Sequence, residues 1–230
     1  MASHANTLEI EKKVFLSPSD LEHVFHALQA QASTKVKIKQ RPRDYYDTVK
    51  LDLYARQVAL RVQYKKDRYE QTIKAPFQEA GDKDGLARYE WKFSLSDNKP
   101  DFSVINDDRA ITAISGIAPE KLRHLFTADV VRRYFEMKVT TPTGQGTVEI
   151  AFDRGQIRLA DKYAKKYGAG EIVDVCEVEV EMIEGDSRAM DHVIDRIIKM
   201  APSARLSSDS KNALGVDLFK RARQAAGKTL

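Results

Sequence analysis

The chain has 230 residues, 38 basic against 34 acidic and 42% hydrophobic, the balance of one globular unit large enough to bury a core. A net charge of +4 is too small to mark a nucleic-acid surface, and no apolar run approaches the roughly 18 residues of a membrane helix. Cys176 is the only cysteine, so no internal disulfide forms, and the opening Met-Ala-Ser-His-Ala-Asn-Thr lacks a signal-peptide core; the cytoplasm is the expected compartment.

Along the chain, a strand is expected over 8–14. Ser17-Pro18-Ser19-Asp20 then starts a helix, with Ser17 as N-cap and Pro18 in the first turn. Leu21, Val24, Phe25 and Leu28 follow at amphipathic spacing. Strands are expected at 34–46, 59–65 and 69–74, the last two joined by the short turn Lys66-Asp67-Arg68. Residues 75–85, with Pro76, Gly81 and Gly85, read as a loop, and 87–95 as a strand. Short helices are expected near 110–115 and 120–126. Strands return at 130–140 and 147–153, with turns at 141–146 and at Asp153-Arg154-Gly155 leading into 156–160. Residues 162–170 read as an exposed excursion, 172–183 as a strand, and 187–200 and 208–225 as helices, Gly215 being a weak point in the last. No repeat or composition break divides the chain, so one domain over 1–230 is expected, with its core at about 8–220.

The strands carry an unusual pattern. Side chains alternate faces along a strand, so Glu9, Glu11 and Lys13 share one side, as do Arg61 and Gln63, and Glu70, Thr72 and Lys74. Arg88, Glu90 and Lys92 alternate with Tyr89, Trp91 and Phe93. Glu149 and Asp153 alternate with Val148, Ile150 and Phe152, and Glu177, Glu179 and Glu181 with Val178, Val180 and Met182. A single amphipathic strand of this kind normally turns its charges to water. The repeated aromatic and β-branched faces instead suit packing beneath helices, which turns the charges into a barrel interior. Burying acids with bases is costly unless they pair or hold ions. The expected fold is therefore α+β: about eight or nine strands in an antiparallel barrel or strongly curved sheet with flanking helices, its interior holding a cation and a polyanion together.

Glu9-Ile10-Glu11-Lys12-Lys13 resembles the ExExK signature of the CYTH, or triphosphate tunnel metalloenzyme, superfamily. The resemblance continues in order through Tyr45-Tyr46-Asp47-Thr48, Ala59-Leu60-Arg61-Val62, 68–74 and Arg88-Tyr89-Glu90-Trp91. It runs on through Val131-Arg132-Arg133, 148–153, 176–181 and Ser210-Lys211, and looks most like the bacterial inorganic triphosphatase branch. It implies a closed eight-stranded antiparallel β-barrel with flanking helices, a tunnel that binds triphosphate and Mg²⁺ or Mn²⁺. Carried over by motif, Glu9, Glu11, Glu177 and Glu179 would hold the metal, with Glu181 and Asp153 as further candidates; carboxylates suit such hard cations. Lys13, Arg61, Lys74, Arg88, Arg132 and Lys211 would hold phosphate oxygens. Glu9, Glu11 and Lys13 form the expected catalytic group.

The activity so implied is metal-dependent hydrolysis of tripolyphosphate to pyrophosphate and phosphate. Alternatives are a class IV type adenylyl cyclase, a thiamine triphosphatase, or a non-catalytic polyphosphate- or nucleotide-binding module. The expected partner is a small-molecule polyanion, tripolyphosphate or a nucleoside triphosphate, and not a membrane or nucleic acid. Two positions depart from the pattern: Gln63 replaces a second arginine after Leu60-Arg61, and Tyr134 stands where a second basic residue is common. The histidines show no metal-ligand spacing, and Gly144-Gln145-Gly146 lacks the context of a dinucleotide loop. Lys35, Lys37, Lys39, Arg41 and Arg43 form an alternating basic face, read as a tunnel mouth or solvated face in preference to a nucleic-acid patch. Parity places Cys176 and Trp91 on outer, packed faces.

Overall fold

A computed structural model describes residues 7–40, 42–65, 67–77, 87–142, 144–168 and 170–228. The strands are β1 (Thr7–Phe15), β2 (Lys37–Gln40), β3 (Arg43–Asp47), β4 (Ala59–Lys65), β5 (Arg68–Pro76) and β6 (Ala87–Leu95), then β7 (Arg123–Thr141), β8 (Gly144–Leu159), β9 (Ile172–Gly185) and β10 (Arg205–Ser207). The helices are α1 (Pro18–Gln29), α2 (Asp108–Ala113), α3 (Asp161–Tyr167), α4 (Arg188–Met200) and α5 (Lys211–Ala225). Eight strands close into an antiparallel ring in the order β1-β6-β5-β4-β3-β7-β8-β9, with β9 returning to β1. Closure leaves the ring no open edge. β10 adds to β1 and β2 to β7 outside it.

The apolar faces are covered from outside, as the alternation requires. Ser17 Oγ accepts from the Asp20 amide at 3.2 Å and starts α1, which buries Leu21, Val24, Phe25 and Leu28. With Met190, Val193, Ile194 and Ile197 of α4, these pack on Phe135, Ile150, Phe152, Val178 and Val180. A second cluster sets Trp91, Phe93, Leu60 and Ile73 against Ala110 and Ile114 of the α2 segment. Trp91 and Cys176 both lie on outer faces, Cys176 against the α1/α4 cluster. The third cluster joins β3, β7 and β8 to α3 and α5.

Several expectations are corrected. The 34–46 strand is two, β2 and β3, because Pro42 carries no amide hydrogen and cannot continue a ladder. Residues 75 and 76 belong to β5; the rest of the expected 75–85 loop, beyond Phe77, lies outside the described residues. The segment 120–126 is not a helix: after a short 3-10 turn, Arg123 onward is β7. Leu125 and Phe126 are both buried, so strand alternation is hidden where both faces are covered. β8 runs straight through 153–155, because Gly155 lets β7 approach closely; a Cβ there would lie 2.1 Å from the Asp129 carbonyl oxygen. Residues 161–167 form α3, tied down by Tyr163 edge-to-face on Phe219 at 5.1 Å. Strand β10 was not expected.

Gly215 serves a different purpose from the weak point expected of it. A Cβ there would sit 2.1 Å from Phe126 Cε2, so the absence of a side chain lets α5 lie directly on the barrel wall. Capped by Ser210, whose Oγ accepts from the Ala213 amide at 3.1 Å, α5 begins at Lys211 and brings that residue into the ring.

Candidate active site

Strand register stacks the interior of β7, β8, β9 and β1 into rows. The lowest row is Arg132, Asp153 and Glu177, the next Tyr134, Ala151, Glu179 and Lys13, and the third Glu136, Glu149, Glu181 and Glu11. Of the residues predicted from sequence, Glu9, Glu11, Lys13, Arg61, Lys74, Arg88, Arg132, Glu179, Glu181 and Lys211 line one cavity of about 350 Å³. Asp153 and Glu177 lie behind its wall, both fully buried. Residues scattered from 9 to 211 thus converge.

The floor of the cavity is an ion-pair cluster. Arg132 grips Asp153 through Nε–Oδ1 and Nη2–Oδ2 hydrogen bonds of 2.7 Å each and also donates to Glu179. Lys211 Nζ lies 2.6 Å from Asp153 Oδ2 and 2.9 Å from Glu179 Oε1, and donates to Glu177. Lys13 Nζ lies 3.1 Å from Glu179 Oε1 and 3.8 Å from both Glu177 Oε1 and Glu11 Oε1. Burial opposes ionisation of Asp153, yet Arg132 and Lys211 hold its carboxyl down at about 2. The same cations keep Glu179 well below the usual carboxylate range despite its burial. Asp153, Glu177 and Glu179 each offer an oxygen within 4.8 Å of the others, and buried Glu177 Oε2 has no partner.

The third row is different. Glu11, Glu149 and Glu181 stand side by side on neighbouring strands, and like charges placed directly opposite are destabilising. Burial, with Glu9, Glu149 and Glu11 nearby, pushes Glu181 up to about 7. Such an all-oxygen set fits a hard divalent cation, which would relieve the repulsion.

Across the bore sits a cationic wall. Lys74 pairs with Glu9 and lies 3.6 Å from Glu90; Arg61 Nη2 donates to Glu90 at 3.1 Å; Lys92 also pairs with Glu90. Burial works against the charges of Lys74 and Arg61, but Glu9 and Glu90 raise the pKa of Lys74, and Tyr45 with Glu90 raises that of Arg61. Arg43 is the odd member. Burial and the neighbouring Arg61 and Arg132 lower its pKa, and its Nε, like that of Arg61, is buried without a partner. Guanidinium N–H groups left open among like charges fit an anion's oxygens. Tyr45 lies beside them, stacked on Phe126 at a ring separation of 4.9 Å, its pKa lowered against burial by Arg61, Arg43 and Lys211.

Arg43, Tyr45, Glu90 and Glu149 were not among the predicted site residues. Glu90 and Glu149 did stand in the alternation, so parity alone could have selected them; Arg43 stood in a basic run of one parity that alternation does not divide. Lys39 and Arg43 from that run do line the bore; Arg41 lies outside the described residues. Of the two departures, Gln63 donates to Glu70 at 2.8 Å, and the Tyr134 ring carries Lys39 Nζ 4.2 Å from its centroid.

Fold and site together define an antiparallel β-tunnel protein whose bore mixes carboxylates with a surplus of cations. The chain belongs to the CYTH domain family, whose model matches residues 7–214. Solved structures share the fold. A protein from Hippeastrum, described as a candidate adenylyl cyclase with a dominant triphosphatase activity, aligns at 18% identity and a TM-score of 0.56, covering 96% of this chain and 97% of its own. A candidate adenylate cyclase from Bacillus halodurans aligns at 17% identity and a TM-score of 0.53, covering 90% and 96%. The PH1819 protein of Pyrococcus horikoshii aligns at 14% and 0.50, covering 91% and 98%. At these identities the likeness is one of fold. Among the described residues no helix is long and apolar enough to cross a membrane.

Proposed function

We propose that the bore is the active site of a divalent-metal-dependent triphosphatase that hydrolyses tripolyphosphate to pyrophosphate and phosphate, as in the inorganic triphosphatase branch. The observation that carries this reading is the buried, partnerless Nε of Arg43 and Arg61 in the same bore as the crowded row of Glu11, Glu149 and Glu181, of which only Glu11 has a cation within 4 Å among the described residues. One wall wants an anion and the other a cation. Ten cationic side chains line the bore against seven carboxylates, and that surplus favours a highly charged guest. Tyr45 is the one aromatic among the described lining residues and its ring is already stacked, so the bore offers no open face to a nucleobase. This favours an inorganic chain over ATP or thiamine triphosphate.

Glu9, Glu11, Glu179 and Glu181 would hold Mg²⁺ or Mn²⁺, with Asp153 and Glu177 behind them. Bound there, the ion supplies Lewis-acid polarisation of phosphoryl oxygens. Arg43, Arg61, Arg88 and Arg132 grip the chain and offset the charge that builds on its oxygens as the bridging bond stretches. Lys13, Lys74 and Lys211 fix the carboxylates and complete the positive lining. Water attacks the terminal phosphorus in line; a new P–O bond forms, the bridging P–O bond breaks, and pyrophosphate leaves. Glu11, whose closest cation is Lys13 at 3.8 Å, orients the water and takes its proton.

Incubation of the pure protein with tripolyphosphate, ATP and thiamine triphosphate, each with Mg²⁺ or Mn²⁺, tests the reading. Phosphate and pyrophosphate released from tripolyphosphate in preference to the others is the expected result. Cyclic AMP from ATP would establish a cyclase instead. Tight tripolyphosphate binding without turnover would establish a binding module.

The acidic row also sets a pH dependence for the metal-free protein. A carboxyl raised on folding contributes stability that is complete below its unfolded value and disappears as pH rises through its folded one. For Glu181, at about 7, the loss falls near neutrality. In EDTA the melting temperature should therefore decline between about pH 5 and about pH 8, and saturating Mg²⁺ or Mn²⁺ should flatten the curve. A metal-free melting temperature that rises across that window would contradict the assignment.

A further inference from the structure

Glu70 is a bore carboxylate that takes no part in this chemistry. Glu70 sits near the turn of the β4–β5 hairpin, where Gln63 is its register partner and Lys65–Arg68 is the last pair. It is 8% exposed and faces the bore. Gln63 Nε2 donates to Oε1 at 2.8 Å, and Lys65 Nζ to Oε2 at 2.8 Å, so both oxygens are engaged from β4. Four residues separate Glu70 from Lys74, a span of about 13 Å along β5, too far for Glu70 to join the acids that Lys74 and Lys13 hold.

Of the other cations near this end, Lys92 pairs with Glu90 and Lys39 sits over the Tyr134 ring, while Arg43, the register partner of Gln63, keeps its open Nε for the bound chain. Lys211, at the start of α5, holds the floor acids, so a bound chain seated against that cluster lengthens toward the hairpin. There it meets a fixed carboxylate, with the neighbouring amide and ammonium already occupied by it. Repulsion placed against a near-substrate is how a site rejects it.

We infer that Glu70, held by Gln63 and Lys65, is a specificity-determining collar that admits three phosphoryl groups and excludes longer polyphosphates. This rests on the triphosphatase reading of the bore. It also gives Gln63 a purpose: an arginine there would add a second positive charge to the one Lys65 already sets against Glu70 and turn the barrier into an attraction, whereas an amide orients the carboxylate without adding charge.

The test is calorimetric binding of tripolyphosphate and tetrapolyphosphate to the full chain in EDTA, where no metal is shared between chain and protein. The wild-type protein is expected to prefer tripolyphosphate by about tenfold or more, although the longer chain carries more charge. Glu70→Gln should reduce that preference to about unity or invert it, and Lys65→Met, which exposes the carboxylate, should widen it. A destabilised mouth would shift both variants the same way. Equal preference in the wild type, an unchanged ratio in Glu70→Gln, or no binding of either chain overturns the collar. Tripolyphosphate that is preferred yet never hydrolysed with metal present leaves the collar standing and removes the catalytic reading. Hydrolysis without the chain-length preference does the reverse.

Discussion

Replacing Lys211 with methionine is expected to cost about 3–5 kcal/mol of stability, the penalty for leaving buried charge without its counterion. Methionine keeps most of the length and none of the charge. Its removal strips one ammonium from Asp153, Glu177 and Glu179 together, and two of these are wholly buried. For a chain of this size such a loss lowers the melting temperature by on the order of 10 °C. Urea unfolding in EDTA measures it. Because the vacated acids form an all-oxygen pocket, excess Mn²⁺ should restore more stability to Lys211→Met than it adds to the wild type. A variant as stable as the wild type in EDTA would mean that the floor cluster contributes nothing net.

Substituting Glu11 by glutamine should lower kcat/KM for tripolyphosphate by at least about 10²- to 10³-fold, the loss typical of deleting one stabiliser of transition-state charge. The fold should survive. Glu11 is only half-buried and, among the described residues, has Lys13 at 3.8 Å as its one ion-pair partner, while its row partners Glu181 and Glu149 repel it. Glutamine relieves that repulsion, so metal-free stability should hold or rise as activity collapses. Steady-state rates beside melting curves distinguish the outcomes; full activity in the variant would remove Glu11 from the reaction.

Most of the ring was legible because alternation with period two survives wherever one strand face is charged and the other aromatic or β-branched. Glu177, Glu179 and Glu181 opposite Val178 and Val180 could be oriented from parity alone. The signal failed where both faces are apolar, at Leu125 and Phe126, which read as helix. It failed again where a glycine answers to a neighbour distant in sequence, as Gly155 does to Asp129 and Gly215 to Phe126. The site was legible as a set of acids and bases but not as an arrangement. Parity put Asp153 in the interior and the family resemblance brought in Lys211, without disclosing that the two bind each other, and parity gave no reason to separate Arg43 from a run of surface lysines. Pairing partners are fixed by register, and register between strands more than a hundred residues apart leaves no local trace.

The last seam of the ring has a kinetic meaning. Glu11 on β1 faces Glu181 on β9, so the first strand made must wait for one translated 170 residues later before its second ladder can zip. Contacts this distant in sequence are slow to find, because the loop between them must be confined before any reward arrives. The nascent β1 meanwhile has only β6 to hold it. A ribosome-bound chain released before β9 and α5 emerge would carry an unzipped edge and Asp153 without Lys211. Such fragments should be prone to self-association, and productive folding should be a late, nearly post-translational event.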